Sequence, residues 1–596
     1  MAPTMLVLVF LLAVAVSAAL SLGVRRVAAA HGAVVPARPD RWHRQPTPTF
    51  GGVAIAATTL GLAMATLVAS YVQPVWIKGL LVMGSAGGLF IVGLVDDRLQ
   101  LTPLAKLAAT LAIGSFLLYG LSLASETVLP WWQTILLVIW YAGLVHAFNL
   151  LDNMDGLAGG VALVATAMLA LVFGADLGAP MVGVLAAFAG SIGGFLVWNV
   201  RPARLFMGDC GSLFLGSMVA GTSLVLLARP GALFLLDGPV ICLVLIVPLL
   251  DTSFVLVLRR LAGREATRGG TDHLSHRLVS LGFSERRAVS ALYLLGLAGG
   301  ATAWFAYGDG MSRLPAAALF VVAVLLGGVH LARVPVYDGE DFRALQKASF
   351  APFLRDLTFR WHALEMLLDI VLISVVYYLS WRIRFEGQQL NVFLPSFRAS
   401  LPIVLGCKLL ALYMSGAYER MWGSFGIRDL FATVRGVVLG SIASILVVAY
   451  VYRFERFSRA VFIIDGALLT LAILAARGSF RMMGEAATTR NSHARRGLIY
   501  GAGSGGQLLV REMRANAEWG LTPIAFLDDD PTKLGRRLMG VPIRGGADRI
   551  DRVLARYRID EVVISTSKID PEREEQIHAA CARRGIPVRQ FKLEIT

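Results

Sequence analysis

The sequence predicts a polytopic α-helical membrane protein of about fifteen spans, followed by a C-terminal cytosolic α/β domain of Rossmann-like pattern. Three observations carry this. First, 56% of the 596 residues are hydrophobic and only 16% are charged, whereas soluble domains are roughly a quarter charged. Mean hydropathy is +0.67. Second, apolar runs of near-spanning length recur as far as residue 476. Third, beyond residue 496 the period changes to short apolar strands and amphipathic helices around a glycine-rich turn. The net charge of +15 in such a chain points to basic loops, anionic lipid and anionic substrates, not to nucleic acid. Cys210, Cys242, Cys407 and Cys581 form no CxxC pair, so neither a zinc cage nor a disulfide framework is indicated.

The runs fall at about 5–24, 52–72, 78–95, 104–123, 132–148, 157–173, 181–198, 213–228, 238–258, 288–307 and 314–331. The first lacks a basic leader and ends at Arg25-Arg26. It reads as an uncleaved span with its N-terminus outside. Alternate loops then hold Arg25, Arg26, Arg38, Arg41, Arg44, Arg98, Arg201, Arg204 and a cluster from Arg259 to Arg287. The opposite loops hold little beyond Lys78, Arg229 and Arg313. This asymmetry places the arginine-rich loops in the cytosol. A polar linker, 333–361, precedes four more runs near 363–380, 401–415, 430–451 and 460–476. The expected segments are therefore 1–332, 333–361, 362–477 and 478–596.

The cytosolic loops carry the candidate chemistry. Their centre is Asn149-Leu150-Leu151-Asp152-Asn153-Met154-Asp155-Gly156-Leu157. Asp152 and Asp155 share one face of a helical turn. Such acids at a membrane boundary either mark a site or wet an inter-helix loop. Asp96-Asp97 close the third span and Lys106 opens the fourth. Paired acids can hold Mg²⁺ or act as a base, and the lysine can hold phosphate; acids of this kind are also ordinary interfacial residues. Asp209 lies between Gly208 and Gly211, either a hard-cation ligand or a capping aspartate. His273, His276 and Arg277 sit in the most basic loop and suit phosphates. A zinc site there lacks a third donor in the motif. Ionisable residues crowd at the inside ends of the runs rather than at mid-span, which favours an enzyme over a transporter. The inventory suits Mg²⁺-dependent transfer of a phosphorylated group to a lipidic acceptor.

With these motifs in hand, residues 36–280 resemble the polyprenyl-phosphate N-acetylhexosamine-1-phosphate transferase superfamily. The matching stretches are Pro46-Thr47-Pro48-Thr49-Phe50-Gly51-Gly52, Asp96-Asp97 with Lys106, Asn149 to Leu157, Asn199 to Gly211, and His273-Leu274-Ser275-His276-Arg277-Leu278. The resemblance implies transfer of sugar 1-phosphate from a UDP-N-acetylhexosamine to polyprenyl phosphate at the inner face of a bacterial cytoplasmic membrane. It implies Mg²⁺, with Mn²⁺ as the substitute, and a homodimer. By position, Asp96 or Asp97 would deprotonate or orient the lipid phosphate, and Lys106 would hold phosphate. Asn149 and Asp209 match metal ligands. Asp152, Asp155 and Asn199 match nucleotide and catalytic contacts, Phe206 a uracil-stacking aromatic, and His273, His276 and Arg277 a pyrophosphate clamp. Two positions depart: His146 replaces a frequent asparagine, and Ser275 interrupts a histidine pair.

Runs 363–476 and the tail resemble the N-terminal part of membrane-bound nucleotide-sugar 4,6-dehydratases, through Leu527-Asp528-Asp529-Asp530-Pro531 with Lys533 and Gly535. No Tyr-x-x-x-Lys occurs, so the resemblance implies that dehydratase activity itself is missing. Gly501, Gly503 and Gly506 follow a strand in the dinucleotide pattern, with Asp528 near the acidic position. They either bind NAD(P) or a nucleotide-sugar, or serve as a packing turn.

Topology is directly testable. A cysteine introduced within 149–156 should label only from the cytosolic side, and one within 124–130 only from outside. Outside labelling at 149–156 would invert the arrangement.

Overall fold

Long apolar stretches punctuated by glycine and proline have one low-energy answer in a membrane. Each becomes a helix that satisfies its own backbone, and the breaks fall where the membrane ends. The computed structural model describes residues 3–36, 46–69, 75–229, 234–261, 272–307, 314–332, 357–385, 388–418, 427–455, 457–488, 495–515, 519–566 and 569–591. Most of the expected linker lies outside these residues, as do Arg38, Arg41, Arg44, Arg264 and Arg268. Chain contacts divide the protein into two compact units, Met1–Tyr418 with Val434–Ala472, and Glu419–Thr433 with Ile473–Thr596.

In the first unit, helices run α1 (Pro3–Ala30), α2 (Gly51–Ala69), α3 (Val75–Leu99), α4 (Pro103–Ala124), α5 (Trp131–Leu151), α6 (Leu157–Asn199) and α7 (Gly208–Leu227). They continue as α8 (Phe234–Val244), α9 (Ile246–Leu261), α10 (Leu274–Ser280), α11 (Glu285–Ala306) and α12 (Leu314–Ala332). Four more follow: α13 (Leu357–Arg384), α14 (Gln388–Met414), α15 (Ile427–Tyr452) and α16 (Arg459–Thr488). By length and composition, 12 helices among the described residues can cross a membrane, or 13 with α8 and α9 counted as one bent span. The chain is a multi-pass membrane protein.

Fifteen runs were expected, and two changes of helix direction account for part of the difference. Runs 157–173 and 181–198 form the single 43-residue α6, which leaves helical geometry at Phe173 and at Gly178 (φ 76°), just before Pro180. Glycine tolerates that φ, and proline lacks the N–H a continuous helix needs. Run 238–258 breaks into α8 and α9, bent by 86°. The run at 314–331 forms α12, 19 residues long.

The bundle is built around α7, whose apolar window is 100% buried. It packs against α2, α3, α4, α5, α6 and α8. Apolar burial does not distinguish one helix partner from another when lipid is the alternative, so small residues and hydroxyls do the matching. Tyr141 Oη and Ser217 Oγ lie 2.6 Å apart, and the Trp140 indole donates to Ser223 Oγ at 2.9 Å.

One feature departs from the expectation that charges stay at the helix ends. Lys408 on α14 and Asp465 on α16 form an ion pair within the helices, each side chain 0% exposed. Nearby on α13, Tyr377 Oη and Ser400 Oγ of α14 lie 2.7 Å apart. Ionisable groups at this depth persist because they are paired.

The second unit contains a parallel four-stranded sheet of order β4-β3-β7-β8. Numbering from short β1 (Val34–Val35) and β2 (Thr47–Pro48), its strands are β3 (Arg495–Tyr500), β4 (Leu521–Leu527), β7 (Glu561–Ile564) and β8 (Val588–Gln590). β5 (Arg537–Leu538) and β6 (Val541–Pro542) make a separate small ladder. Period-two alternation sends Leu498 and Tyr500 to one apolar cluster and Ile499 to the other. Helix α17 (Ser504–Ala515) follows β3 and covers the second cluster.

The intramembrane pair makes a stability prediction. Lys408→Met strands Asp465 without its counter-charge and should lower the thermal midpoint in detergent; Lys408→Met with Asp465→Leu should recover much of the loss. No change in the single variant would show that the pair does not hold these helices.

Candidate active site

The polar groups of the transferase-like region meet at one end of its bundle, and local sequence explains each placement. Thr102 caps α4, its Oγ1 accepting from Ala105 N at 3.3 Å, and Pro103 starts the helix at once. Lys106 therefore falls in the first turn, close to the end of α3. Its ammonium lies 2.6 Å from Asp96 Oδ2 and 3.3 Å from Asp209 Oδ2. Asp96 Oδ1 accepts from Leu101 N at 2.7 Å.

Asp97 has a different task. Its two oxygens accept from Asp209 N at 2.8 Å and Cys210 N at 3.1 Å, so it caps α7 from the neighbouring helix. Free amides and the helix dipole both favour a carboxylate there. Gly208 makes this close approach feasible. Its φ is +74°, and a Cβ would lie 2.7 Å from Asp97 Oδ2.

Asn149 completes the group by donating from Nδ2 to Asp209 Oδ1 at 3.2 Å and to Ser212 Oγ at 2.8 Å. Three carboxylates around one ammonium leave two negative charges in excess, with Asp209 the opener side chain at 38% exposure against 3% for Asp96. Oxygen donors and surplus negative charge fit a hard divalent cation. Among the described residues no three His, Cys, Asp or Glu form a metal-holding group. As a ligand, Asn149 would have to turn its Oδ1 towards the ion. One turn back, His146 Nε2 is buried without a hydrogen-bond partner in the described structure.

The 149–156 turn joins this group to two other loops. Asp155 Oδ2 accepts from Ala203 N at 3.0 Å, while Asp152 is exposed at the end of α5. Asn199 is buried, accepting from Gly156 N at 3.0 Å and donating to Leu205 O at 2.9 Å. Its amide is committed to backbone at both ends, so it braces the site from beneath rather than offering the substrate contact expected. Phe206 is half-buried, and its backbone docks the Pro46–Gly52 stretch through Pro48 O and Gly51 N, each at 2.8 Å. On the other side, Ser275 Oγ donates to Asn153 Oδ1 at 2.9 Å.

That last bond belongs to the histidine loop, where the expected phosphate clamp needs correction. Arg277 is buried, donates to Asp272 O and Leu331 O at 3.2 Å each, and lies over the Phe254 ring at 5.3 Å. It turns into the protein instead of towards an anion. Burial, with a smaller contribution from neighbouring His273, pushes the His276 imidazole down to about 4, so it is neutral at neutral pH. His273 pairs with Asp251 at 2.7 Å, and Arg259 pairs with Asp272 at 2.8 Å. Asp251 was missed by the sequence reading, although it is a lone acid inside the apolar run 238–258. A charge at that depth was the available signal.

In the second unit, the glycine turn is tightly closed. Gly501 has φ +99°, and a Cβ on Gly506 would lie 2.1 Å from Gly501 O, whereas Gly503 faces open space. Asp528 accepts from Ala502 N at 2.7 Å and pairs with Lys533 at 3.0 Å. The acid expected at a ribose is thus tied to the turn itself.

Comparisons with known proteins match two separate parts of the chain. A family model described as glycosyl transferase family 4 matches residues 79–227, and one described as a CoA-binding domain matches 414–589. A decaprenyl-phosphate N-acetylglucosaminephosphotransferase of Mycolicibacterium smegmatis is 34% identical over 348 residues, covering 52% of this chain and 84% of that protein. A probable undecaprenyl-phosphate N-acetylglucosaminyl 1-phosphate transferase of Bacillus subtilis is 30% identical over 282 residues, 46% of this chain and 77% of that protein. The probable polysaccharide biosynthesis protein EpsC of Bacillus subtilis is 27% identical over 179 residues, 30% of this chain and 29% of that protein.

The cap on α7 is testable. Asp97→Ala removes two acceptors from the helix's first turn and should cost about 1–2 kcal/mol of stability. Asp97→Asn keeps one acceptor and should cost less. Equal thermal midpoints for both variants and the parent would show that Asp97 is not a cap.

Proposed function

This chain belongs to glycosyl transferase family 4, and from that membership we propose that it transfers N-acetylhexosamine 1-phosphate from a UDP-sugar to polyprenyl phosphate, with release of UMP. The observation that carries the reading is the Asp96–Lys106–Asp209 bridge with Asn149, set at one end of an apolar bundle. A lipid acceptor approaches from the membrane and a nucleotide donor from water, so their reacting phosphates can meet only near such a boundary. The arginine asymmetry supports the reading that this boundary is the cytosolic one, and in the proposal the membrane is a bacterial inner membrane. The product would begin a cell-surface glycan.

In the step itself, a lipid phosphate oxygen attacks the phosphorus that bears the sugar, and the bond from that phosphorus to the UMP oxygen breaks. Lys106 neutralises a phosphate during this exchange. Asp209 and Asn149 would hold Mg²⁺, which neutralises the diphosphate. Asp97 engages two amides and Asp96 engages Lys106 and Leu101 N. Asp155 and Asp152 would make the nucleotide and catalytic contacts.

The tail is read as a nucleotide or nucleotide-sugar binding or assembly module of a homodimer, not a second enzyme. Its closed turn, with Asp528 on Ala502 N, weights the packing role of Gly501 and Gly506.

The deciding assay incubates purified protein with undecaprenyl phosphate, Mg²⁺ and a panel of UDP-sugars, and measures UMP. One UDP-N-acetylhexosamine should support turnover that EDTA abolishes. Asp209→Asn should lower it at least about 100-fold. No UMP from any donor, or near-normal turnover by Asp209→Asn, would overturn the reading.

A further inference from the structure

We propose that Asp251 is a positioning residue for the transfer reaction, fixing the tautomer and direction of His273 so that Nε2 is the nitrogen offered to a substrate phosphate. This rests on the transferase reading above. Asp251 lies on α9, just beyond the 86° bend from α8, and is 1% exposed. A carboxylate that deep is costly unless both oxygens are satisfied. Both are. Oδ1 accepts from Leu274 N at 2.8 Å and Oδ2 meets His273 Nδ1 at 2.7 Å.

The backbone bond settles which way the carboxylate faces. A carboxylate oxygen so placed accepts, so Nδ1 carries hydrogen and Nε2 remains for other work. The ring has little freedom to turn. Its loop is tied to α9 a second time by the buried Arg259–Asp272 pair at 2.8 Å. Ser275, two residues on, ties it to Asn153 at 2.9 Å. That bond attaches the His273 loop to the turn that also carries Asn149 and Asp155. A proton that Nε2 takes from the phosphate makes the ring an imidazolium, whose charge the Asp251 carboxylate at Nδ1 balances.

Asp251→Asn is the discriminating change. It preserves size, and its Oδ1 can keep the Leu274 bond. Its NH₂ group then faces Nδ1, which can no longer carry hydrogen there. The tautomer must flip to Nε2–H, and the imidazolium loses its counter-charge. Two readouts on the full-length protein follow. In ¹⁵N-histidine-labelled protein, the resonance that His273→Gln removes should change from the Nδ1–H to the Nε2–H pattern in Asp251→Asn. In UMP-release kinetics, Asp251→Asn should lower kcat about 10- to 100-fold with a near-parental thermal midpoint. In a His273→Gln background it should cause no further loss, because Asp251 acts through that ring. An unchanged histidine resonance, additive losses in the double variant, or parental kcat in Asp251→Asn would each overturn the inference. The resonance readout decides it independently of turnover, and absence of UMP release by the parent protein would instead count against the transferase reading.

Discussion

Everything at the polar end of the bundle depends on one ammonium shared by two carboxylates. Lys106 draws Asp96 of α3 and Asp209 of α7 together from the first turn of α4. Without it, like charges on neighbouring helices would repel across a region of weak screening. With it, three helices are pinned at their ends and the cluster still carries excess negative charge. That excess is an electrostatic setting that suits a divalent cation. Asp97 adds the mechanical part, holding the start of α7 by two amide hydrogen bonds. The backbone that carries Asp209 is thereby fixed before any ligand arrives.

The turn between α5 and α6 distributes that order to the rest of the site. Within it, Asn149 reaches Asp209, Asn153 receives Ser275, Asp155 receives Ala203 N, and Gly156 binds Asn199. These four bonds therefore hold the loops after α6 and α9 and the start of α7 against one stretch of chain. A displacement of any loop would be felt by the others, since polar groups at this depth have few alternative partners. Tyr293, which donates to Gly156 O at 2.5 Å, adds a brace from α11.

The accessory helices and the tail follow the same rule with different means. Lys408 and Asp465 compensate each other inside the membrane segment, where an unpaired charge would not be tolerated. In the tail, the Asp528 carboxylate closes the glycine turn on Ala502 N. Backbone amides that resemble a phosphate cradle in sequence are here partly satisfied from within.

By itself the sequence determined the membrane class, the order of the apolar runs, the parallel strands of the tail and the set of acids, amides and histidines at one boundary. These are legible because period, length and charge asymmetry are local properties. Asp96, Asp97, Lys106, Asn149 and Asp209 were all named from motifs, and the fold brings them together. Only the tertiary structure decided what each one does there. Asp97 caps a helix, Asn199 braces backbone and Arg277 points inward, and each role includes a hydrogen bond to a residue at least 43 positions away. The run count also shifted for a tertiary reason. Gly178 with Pro180, and the bend between α8 and α9, change helix direction without interrupting hydropathy. Asp251 was hidden in the same way. Composition shows a lone acid in an apolar run, but its partner His273 lies 22 residues away, and only packing brings the two within hydrogen-bonding distance.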